Sequence, residues 1–367
     1  MFENVYQGKR VFITGHTGFK GAWLTAWLLS MGAEVAGYSD CIPTEPSIFN
    51  VLGLKSRIKH VIGDVRDYDS LKHAIDEFAP DFLFHLAAQA IVSVSYKNPV
   101  ATMTTNVLGT VNVLEVLRNM DRQCVAVLIT SDKCYENVEW LWGYRETDRL
   151  GGKDVYSGSK GAAEVVIHAY YNSFFSNSDC QVRLATGRAG NVIGGGDWAQ
   201  DRIVVDCMKN WSVGKPVEIR SPSATRPWQH VLEPISGYLA LAATLLTDRD
   251  LSGESFNFGP RAEQNRTVVE LITDLAKYWQ SSAPKKIYQI TDNVPFHEAG
   301  LLKLNCDKAL NWLKWEASLG YEECVNLVSS WYYAYYKENQ DMFTLTQDHI
   351  KQYIEKARQR ELVWAKS

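Results

Sequence analysis

The alternation of strand-like and helix-like segments in the first half of the chain constrains its fold more than any other feature. The predicted strands are residues 10–14, 34–39, 59–63, 82–87 and 125–130, and the predicted helices are residues 21–31, 70–78, 106–119 and 156–175. Strands that alternate with helices over short loops are typical of a parallel sheet that is covered on both faces. The sequence therefore predicts an α/β fold with a doubly wound parallel sheet.

The regular alternation of predicted strands and helices ends after about residue 188. Three successive glycines at 194–196 and a proline-containing loop precede a helical C-terminus that is rich in Tyr and Trp. Turn-forming glycines and prolines of this kind favour a smaller second lobe that is built from insertions and the C-terminal part of the chain. We predict that residues 1–187 and roughly 228–259 form the sheet domain, that residues 188–227 and 260–345 form the smaller lobe, and that residues 346–367 form a helical tail.

Composition and charge argue against several classes of protein. The 367 residues carry 38 basic and 42 acidic side chains, a formal charge of −4, with no basic block that could follow nucleic acid or bind an anionic membrane. The seven cysteines are scattered and never form a CxxC, which argues against disulfides and metal sites. No secretory leader or membrane span is evident. We expect a cytoplasmic protein without a bound metal.

A glycine-rich turn joins the first predicted strand to the first predicted helix. It reads Thr14-Gly15-His16-Thr17-Gly18-Phe19-Lys20-Gly21. Its glycines allow a tight turn, a close approach of pyrophosphate to the helix N-terminus, and packing of helix on strand. A turn without a ligand is the alternative, but the place directly after an N-terminal strand favours a dinucleotide site.

The segment after this turn bears on which dinucleotide binds. No Lys or Arg lies between Gly21 and Lys55, whereas Asp40 follows the second predicted strand. An acidic side chain can accept from a ribose hydroxyl, while a 2′-phosphate would need a cation. Asp40 could equally be an ordinary turn residue, because Asp favours turns. The pattern favours NAD over NADP.

Two further strand ends carry small or polar residues. Asp64 and Val65 follow the third predicted strand, and the fourth ends in Leu86-Ala87-Ala88-Gln89. Small side chains would let the backbone approach a cofactor, and Asp64 could accept from an adenine amine. Taken alone, these residues also fit strand-end packing and a helix-capping aspartate.

Tyr156 and Lys160 lie one turn apart on a predicted helix, on the same face. A phenol, with a pKa of about 10, is a poor base at neutral pH unless a nearby ammonium favours its phenolate form. A bare YxxxK motif also fits an exposed helix face. Downstream of the glycine turn and four parallel strands, we favour a catalytic pair.

Asp132 and Lys133 stand side by side just after the apolar run of residues 125–129. Strand ends are where α/β proteins place their chemistry. Their position is therefore compatible with a place in an active site. A surface ion pair is the alternative, and the residues alone favour it.

Several long stretches together resemble the extended short-chain dehydrogenase/reductase superfamily, whose sugar-nucleotide members bind NAD. Within it, the chain is similar up to about residue 336 to the 4,6-dehydratases that act on CDP-glucose. The stretches that carry this resemblance are TGHTGFKGAWL, TSDKCYEN, GYRETDRLGGKDVYSGSKGAAE, GRAGNVIGGGDWAQDRIVVD, RPWQHVLEP and HEAGLLKLNCDKA.

The resemblance implies a Rossmann-type domain that binds NAD and a reaction that is redox-neutral overall. Hydride passes from C4 of the glucose to NAD, water leaves across C5 and C6, and the hydride returns to C6. Oxidation at C4 makes the C5 proton acidic. A base must then remove that proton while an acid protonates the departing C6 hydroxyl, so two groups of opposite protonation state are needed.

The resemblance also implies a role for each candidate residue. Asp132 matches the acid and Lys133 the base, in a place where other nucleotide-sugar dehydratases carry glutamate. Ser131 and Tyr156 act on the 4-hydroxyl, and Lys160 holds the nicotinamide ribose. Asn106 and Thr130 join the cofactor site, and the implied substrate contacts are Gln89, Asn191, Arg202, Arg226, His297 and Glu298.

Two other functions stay open. A sugar-nucleotide 4-epimerase would share NAD, Ser131, Tyr156 and Lys160 but would not need the Asp132-Lys133 pair. A non-catalytic cofactor sensor could dispense with Tyr156 and Lys160. The superfamily resemblance implies a homodimer through residues 106–119 and 156–175, with a tetramer as the next alternative. No residue picks cytosine over uracil or thymine by its chemistry.

We expect NAD to bind much more tightly than NADP, because the segment that follows the glycine turn offers no cation for a 2′-phosphate. Titration of the protein with each dinucleotide measures both affinities. Equal or tighter binding of NADP would contradict the prediction.

Overall fold

A parallel sheet of seven strands forms the centre of the protein. The computed structural model describes residues 1–261, 264–279, 283–291 and 301–366. Its strands are β1 (Arg10–Thr14), β2 (Glu34–Ser39), β3 (Lys59–Ile62), β4 (Phe82–His85), β5 (Cys124–Ile129), β6 (Val182–Ala189), β7 (Val192–Ile193), β8 (Val217–Ile219), β9 (Thr225–Pro227), β10 (Gln229–His230), β11 (Ser255–Phe258), β12 (Asn265–Thr267) and β13 (Tyr288–Ile290). The central sheet has the order β11-β6-β5-β4-β1-β2-β3, and all of its neighbours pair in parallel.

Helices cover both faces of this sheet. They are α1 (Phe19–Ser30), α2 (Ile48–Val51), α3 (Tyr68–Phe78), α4 (Val92–Lys97), α5 (Pro99–Met103), α6 (Gly109–Arg118), α7 (Val155–Tyr170), α8 (Ile203–Ser212), α9 (Leu232–Thr247), α10 (Val268–Trp279), α11 (Asp307–Leu313), α12 (Tyr321–Tyr333) and α13 (Met342–Gln359). Val11 and Ile13 of β1 share a core with α1 and α9, whereas Phe12 between them shares a core with α3 and α6. Successive strand residues point to opposite faces, so the predicted doubly wound architecture is confirmed.

Three two-stranded sheets lie outside the central sheet. They pair β7 with β10, β9 with β12, and β8 with β13. All of these strands lie after residue 188, where the regular alternation of strands and helices was predicted to end. Near the C-terminus, α13 packs against α1. The proposed division of the chain into a sheet domain, a smaller lobe and a tail stays a prediction.

The predicted element boundaries hold best for the strands. The bounds of β1 and β2 match the prediction at both ends. Two of the predicted helices contain a π-helical turn, at Thr104–Leu108 before α6 and at Tyr171–Phe175 after α7. Such turns arise from a single extra residue in the hydrogen-bond ladder, which hydrophobic periodicity does not reveal.

One helical stretch, residues 99–118, is by length and composition apolar enough to cross a membrane. Half of its most apolar window is buried inside the protein. A core helix passes the same test, so this stretch is weak support for a membrane span.

Candidate active site

A cavity of about 1180 Å³ lies along the carboxyl ends of the central strands. Parallel strands present these ends at one edge of a sheet, which is where α/β folds bind ligands. The cavity is lined by most residues that the sequence nominated: Gly15, Thr17, Gly18, Phe19, Lys20, Gly21, Asp40, Asp64, Val65, Leu86, Ala87, Ala88, Gln89, Thr130, Ser131, Asp132, Lys133, Tyr156, Lys160, Asn191, Arg202 and Arg226.

The glycine turn needs glycine at two positions for steric reasons. Gly15 has a φ of +79°, and a Cβ there would lie 2.6 Å from the backbone nitrogen of Ala87. A Cβ on Gly21 would lie 2.3 Å from the carbonyl oxygen of Gly15. Gly18 begins α1, and among the described residues no side chain caps the first N–H groups of that helix. Uncapped N–H groups at a helix N-terminus favour a bound anion.

Lys20 adds an unusual charge to this turn. Its Nζ lies 3.4 Å from the hydroxyl of Tyr238. Burial, together with the cations of Arg202 and Lys160, lowers the pKa of Lys20 to about 7, and Asp132 acts in the opposite direction. The amine therefore lies at the centre of a set of interacting charges that reaches from the glycine turn to the Asp132 region.

The far end of the cavity, by β2 and β3, holds Asp40, Asp64 and Arg66. Arg66 donates from its backbone N at 2.8 Å and from Nε at 3.0 Å to Oδ1 of Asp64. This bond lowers the pKa of the Asp64 carboxyl. Arg66 was missed by sequence reasoning because it follows the third strand rather than the second. Its guanidinium is engaged by Asp64 in a forked pair.

Asp132 is buried in a single 3₁₀ turn that follows β5. The Ser131 hydroxyl donates to its Oδ1 at 2.9 Å. Burial raises the pKa of Asp132, although the Lys133 cation beside it acts in the opposite direction. Within the described part of the chain, no ion pair joins Asp132 to Lys133, so the alternative of a surface bridge between them finds no support in the geometry. A raised pKa suits a carboxyl that must donate a proton.

Tyr156 and Lys160 lie in the first turns of α7, whose N-terminus is capped by Asp154 through a 2.9 Å bond from the Ser157 N–H. Burial raises the pKa of Tyr156 to about 12, and the neighbouring Ser131 hydroxyl lowers it. Burial also lowers the pKa of Lys160 to about 8, which Glu164 opposes. Burial, rather than the Lys160 ammonium, therefore dominates the pKa of the phenol.

One nominated residue within the described part of the chain, Asn106, does not line the cavity. Asn106 is buried, and its Oδ1 accepts from the Gln89 N–H at 2.8 Å while its Nδ2 donates to the Ser159 hydroxyl at 2.8 Å. It thus ties the end of β4 to α7. His297 and Glu298 lie outside the described residues.

Residues 188–227 contribute charged side chains that sequence reasoning missed. Arg220 lies 3.4 Å from Asp201, and Ser93 of α4 donates to Asp201 at 2.6 Å, so these residues join opposite sides of the cavity. Asp197 is buried 3.9 Å from Arg202. Only the tertiary fold shows that these scattered residues are neighbours. Among described residues, no three His, Cys, Asp or Glu side chains could hold a metal ion.

A doubly wound sheet with a glycine turn, a buried carboxyl after β5 and a Tyr-Lys pair on the following helix defines an extended short-chain dehydrogenase/reductase. The family described as GDP-mannose 4,6 dehydratase matches residues 12–328. The chain belongs to this family.

Comparison with individual proteins narrows the relationship. The chain is 45% identical over 355 residues to a CDP-glucose 4,6-dehydratase from Salmonella typhimurium, which covers 96% of this chain and 98% of that protein. Its fold matches the epimerase Mth375 from Methanothermobacter thermautotrophicus with a TM-score of 0.77 and 22% identity, over 94% of this chain and 96% of the other. It also matches the dTDP-glucose 4,6-dehydratase DesIV from Streptomyces venezuelae, a structure with NAD bound, with a TM-score of 0.75 and 20% identity, over 90% and 97% of the two chains.

Proposed function

We propose that this protein is an NAD-dependent CDP-glucose 4,6-dehydratase, which converts CDP-D-glucose to CDP-4-dehydro-6-deoxy-D-glucose and water. One observation carries the proposal. Ser131, Asp132, Lys133, Tyr156 and Lys160 line one wall of one cavity, in a chain 45% identical to such an enzyme over nearly its whole length. Oxidation and elimination both need these groups within reach of one sugar.

The cavity residues fit NAD. The uncapped N-terminus of α1 offers N–H groups to a pyrophosphate, and Asp40 can accept from a ribose hydroxyl. Tyr156 and Lys160 line the same cavity. When bound, NAD supplies a hydride acceptor for C4 and returns the hydride to C6.

The first half of the reaction needs a base at the 4-hydroxyl of glucose. We assign this role to Tyr156, with Ser131 hydrogen-bonding the same hydroxyl and Lys160 binding the nicotinamide ribose. A phenol whose pKa burial raises to about 12 is a strong base once it is ionised. The Arg202 cation favours that ionised form, because it lowers the pKa of Tyr156.

The second half of the reaction needs an acid at the C6 hydroxyl and a base at C5. We assign the acid to Asp132, because its burial raises the pKa of the carboxyl and favours the protonated form. We assign the base to Lys133, which lines the cavity beside it. Elimination then gives a 4-keto-5,6-ene, which takes up the hydride at C6 and regains a proton at C5 from the protonated Lys133.

The substrate contacts are proposed from the charges at the cavity wall. Arg202 and Arg226 suit the diphosphate, because guanidinium groups donate in a fork to phosphate oxygens. Asn191 and Gln89 add hydrogen-bonding groups at the same cavity. His297 and Glu298 stay predicted substrate contacts.

We further infer a cytoplasmic enzyme of deoxysugar synthesis for surface polysaccharide such as lipopolysaccharide. None of the seven cysteines is in a disulfide, which fits a reducing compartment. A 4-keto-6-deoxy sugar attached to CDP remains activated for further modification and transfer.

Incubation with NAD and a panel of nucleoside-diphosphate glucoses tests the function. We expect CDP-glucose to lose the mass of one water and the other sugars to react far more slowly. An unchanged mass with altered stereochemistry would indicate a 4-epimerase. Turnover of dTDP-glucose without turnover of CDP-glucose would contradict the nucleotide assignment and leave the reaction class intact.

Lys133→Met should separate oxidation from elimination, because methionine keeps an apolar stem but cannot take the C5 proton. We expect turnover to fall by roughly two to four orders of magnitude. Absorbance of the reduced nicotinamide should build up on mixing with substrate, while solvent deuterium should not enter C5.

Asp132→Asn is the matched comparison for this variant. It should still exchange C5 with solvent, because removal of that proton does not require the C6 hydroxyl to be protonated. Normal turnover of Lys133→Met, or C5 exchange at the wild-type rate, would show that Lys133 is not the base.

We expect a homodimer through residues 106–119 and 156–175, because both carry exposed apolar side chains. Leu108 is 44% exposed and Val165 is 57% exposed. Lys at both positions should reduce the solution mass from two chains to one, as measured by light scattering. Val213→Lys, at a residue 66% exposed elsewhere, is the control and should leave the mass unchanged. A wild-type monomer at micromolar concentration would contradict the dimer, and a four-chain mass would require a second interface.

A further inference from the structure

Glu164 continues the row of site residues along α7. It lies four residues after Lys160 and eight after Tyr156, so the three side chains occupy successive turns on one face of the helix. Glu164 is 3% exposed. No role in the proposed chemistry calls for this carboxylate, yet a charge is rarely buried without partners.

Both oxygens of Glu164 are hydrogen-bonded. Oε1 accepts from the hydroxyl of Thr130 and from Nε of Arg188 at 2.8 Å. Oε2 accepts from Nη2 of Arg188 at 2.8 Å and from the hydroxyl of Ser255 at 3.3 Å. The pair with Arg188 is the forked, two-bond arrangement that fixes orientation as well as distance.

Arg188 carries the connection onward. Its Nη1 donates to the hydroxyl of Tyr135 at 2.7 Å and to the carbonyl oxygen of Glu146 at 3.1 Å. The Tyr135 hydroxyl donates in turn to Oδ1 of Asn257 at 2.8 Å. The network therefore joins α7 to β6, to β11 and to both sides of the 3₁₀ turn that holds Asp132.

The two ends of this network flank the proposed acid. Thr130 directly precedes Ser131 and Asp132. Gly190, two residues after Arg188, passes so close to Asp132 that a Cβ on it would lie 2.8 Å from Oδ2. One buried ion pair and its hydrogen bonds thus help to hold α7 against the turn that carries Asp132.

Stability alone is a weak explanation for such a pair. Removing two charges from water costs several kcal/mol per ion, and well-packed apolar replacements of buried ion pairs are often neutral or stabilising. The buried ion pair behind the proposed catalytic residues is explained if it holds those residues in the correct positions relative to one another.

The charge of Glu164 also acts on Lys160. Burial lowers the pKa of Lys160 to about 8, while the Glu164 carboxylate and Cys134 raise it. Lys20 of α1 and His85 of β4 face Lys160 from the other elements around it, and each interacts with its charge. Glu164 is the carboxylate among these groups.

We propose that Glu164, held by Arg188, is a positioning residue that places a negative charge one helical turn from Lys160 and fixes the Tyr156-Lys160 pair relative to Asp132. The proposal rests on the proposed function in one respect, since it assigns oxidation at C4 to Tyr156 and Lys160. In this proposal Glu164 touches neither substrate nor cofactor and acts through the residues that it positions.

Glu164→Gln tests the proposal, because the amide keeps the size of the side chain and removes its charge. We expect kcat to fall about tenfold to a hundredfold with KM changed far less, since geometry rather than substrate binding is disturbed. The loss of the carboxylate should lower the pKa of Lys160. The alkaline limb of the kcat profile should therefore move to lower pH by about one unit.

Binding of NAD as a function of pH gives a second readout that does not depend on turnover. The pH above which NAD binding weakens should shift in the same direction as the kcat limb. If the wild-type protein does not convert CDP-glucose, the proposed function fails, and the NAD titration still tests Glu164.

The double variant Glu164→Gln with Arg188→Met guards against misfolding, because it leaves no unpaired buried cation. It should melt closer to the wild type than the single variant and keep the shifted alkaline limb. Glu233→Gln is the control, since Glu233 is also buried and accepts from the Leu319 N–H at 2.6 Å and the Tyr353 hydroxyl at 2.7 Å. It should lower the melting temperature without moving either pH profile. Unshifted profiles in both Glu164 variants would overturn the proposal and leave a structural ion pair.

Discussion

Parallel pairing of β1 with β4 brings the turn after β1 against the backbone after β4, and the cavity depends on this contact. A side chain on Gly15 would collide with the backbone of Ala87, and the φ of +79° at Gly15 is one that other residues adopt at a cost. With the turn held there, α1 begins at the sheet edge and points its N-terminus into the cavity. The strand ends that carry Asp64, Gln89 and Asp132 then share that edge, because all strands of the central sheet run in one direction.

Burial of charged and ionisable groups is the second organising feature of the site. Burial shifts the pKa of four site residues in the direction that favours the uncharged side chain, and it is the largest cause in each case. These residues are Lys20, Asp132, Tyr156 and Lys160. A site that needs an acid and a base side by side benefits from this, because burial favours a protonated carboxyl and a neutral amine closer to neutral pH than water does. Neighbouring charges then adjust each group separately, as Glu164 does for Lys160.

The same network of charges relates the two halves of the proposed reaction. Tyr156 and Lys160 come from a helix, whereas Ser131, Asp132 and Lys133 come from a strand end and the turn after it. Each of these two sets of residues is held together by its own element. Contacts between the elements are needed to hold the helix pair in place relative to the residues after β5. Glu164 supplies one, because it pairs with Arg188 and accepts from the hydroxyl of Thr130 beside Ser131, whereas Asn106 ties α7 to the end of β4 through Gln89 and Ser159.

The sequence by itself determined the parallel sheet, the glycine turn and most of the cavity wall. These depend on local patterns: apolar runs of strand length, glycines at a fixed spacing, and polar residues directly after strands. Only the tertiary structure decided that Asn106 is buried behind the cavity, that Arg66 stands beside Asp64, and that Arg220 and Asp201 reach its rim. It also decided that Glu164 pairs with Arg188, 24 residues further along the chain. The two residues of such a pair lie on different elements, and the number of residues between them follows no helical or strand periodicity. Their charges come together because the folded elements pack against each other, which no local sequence pattern predicts.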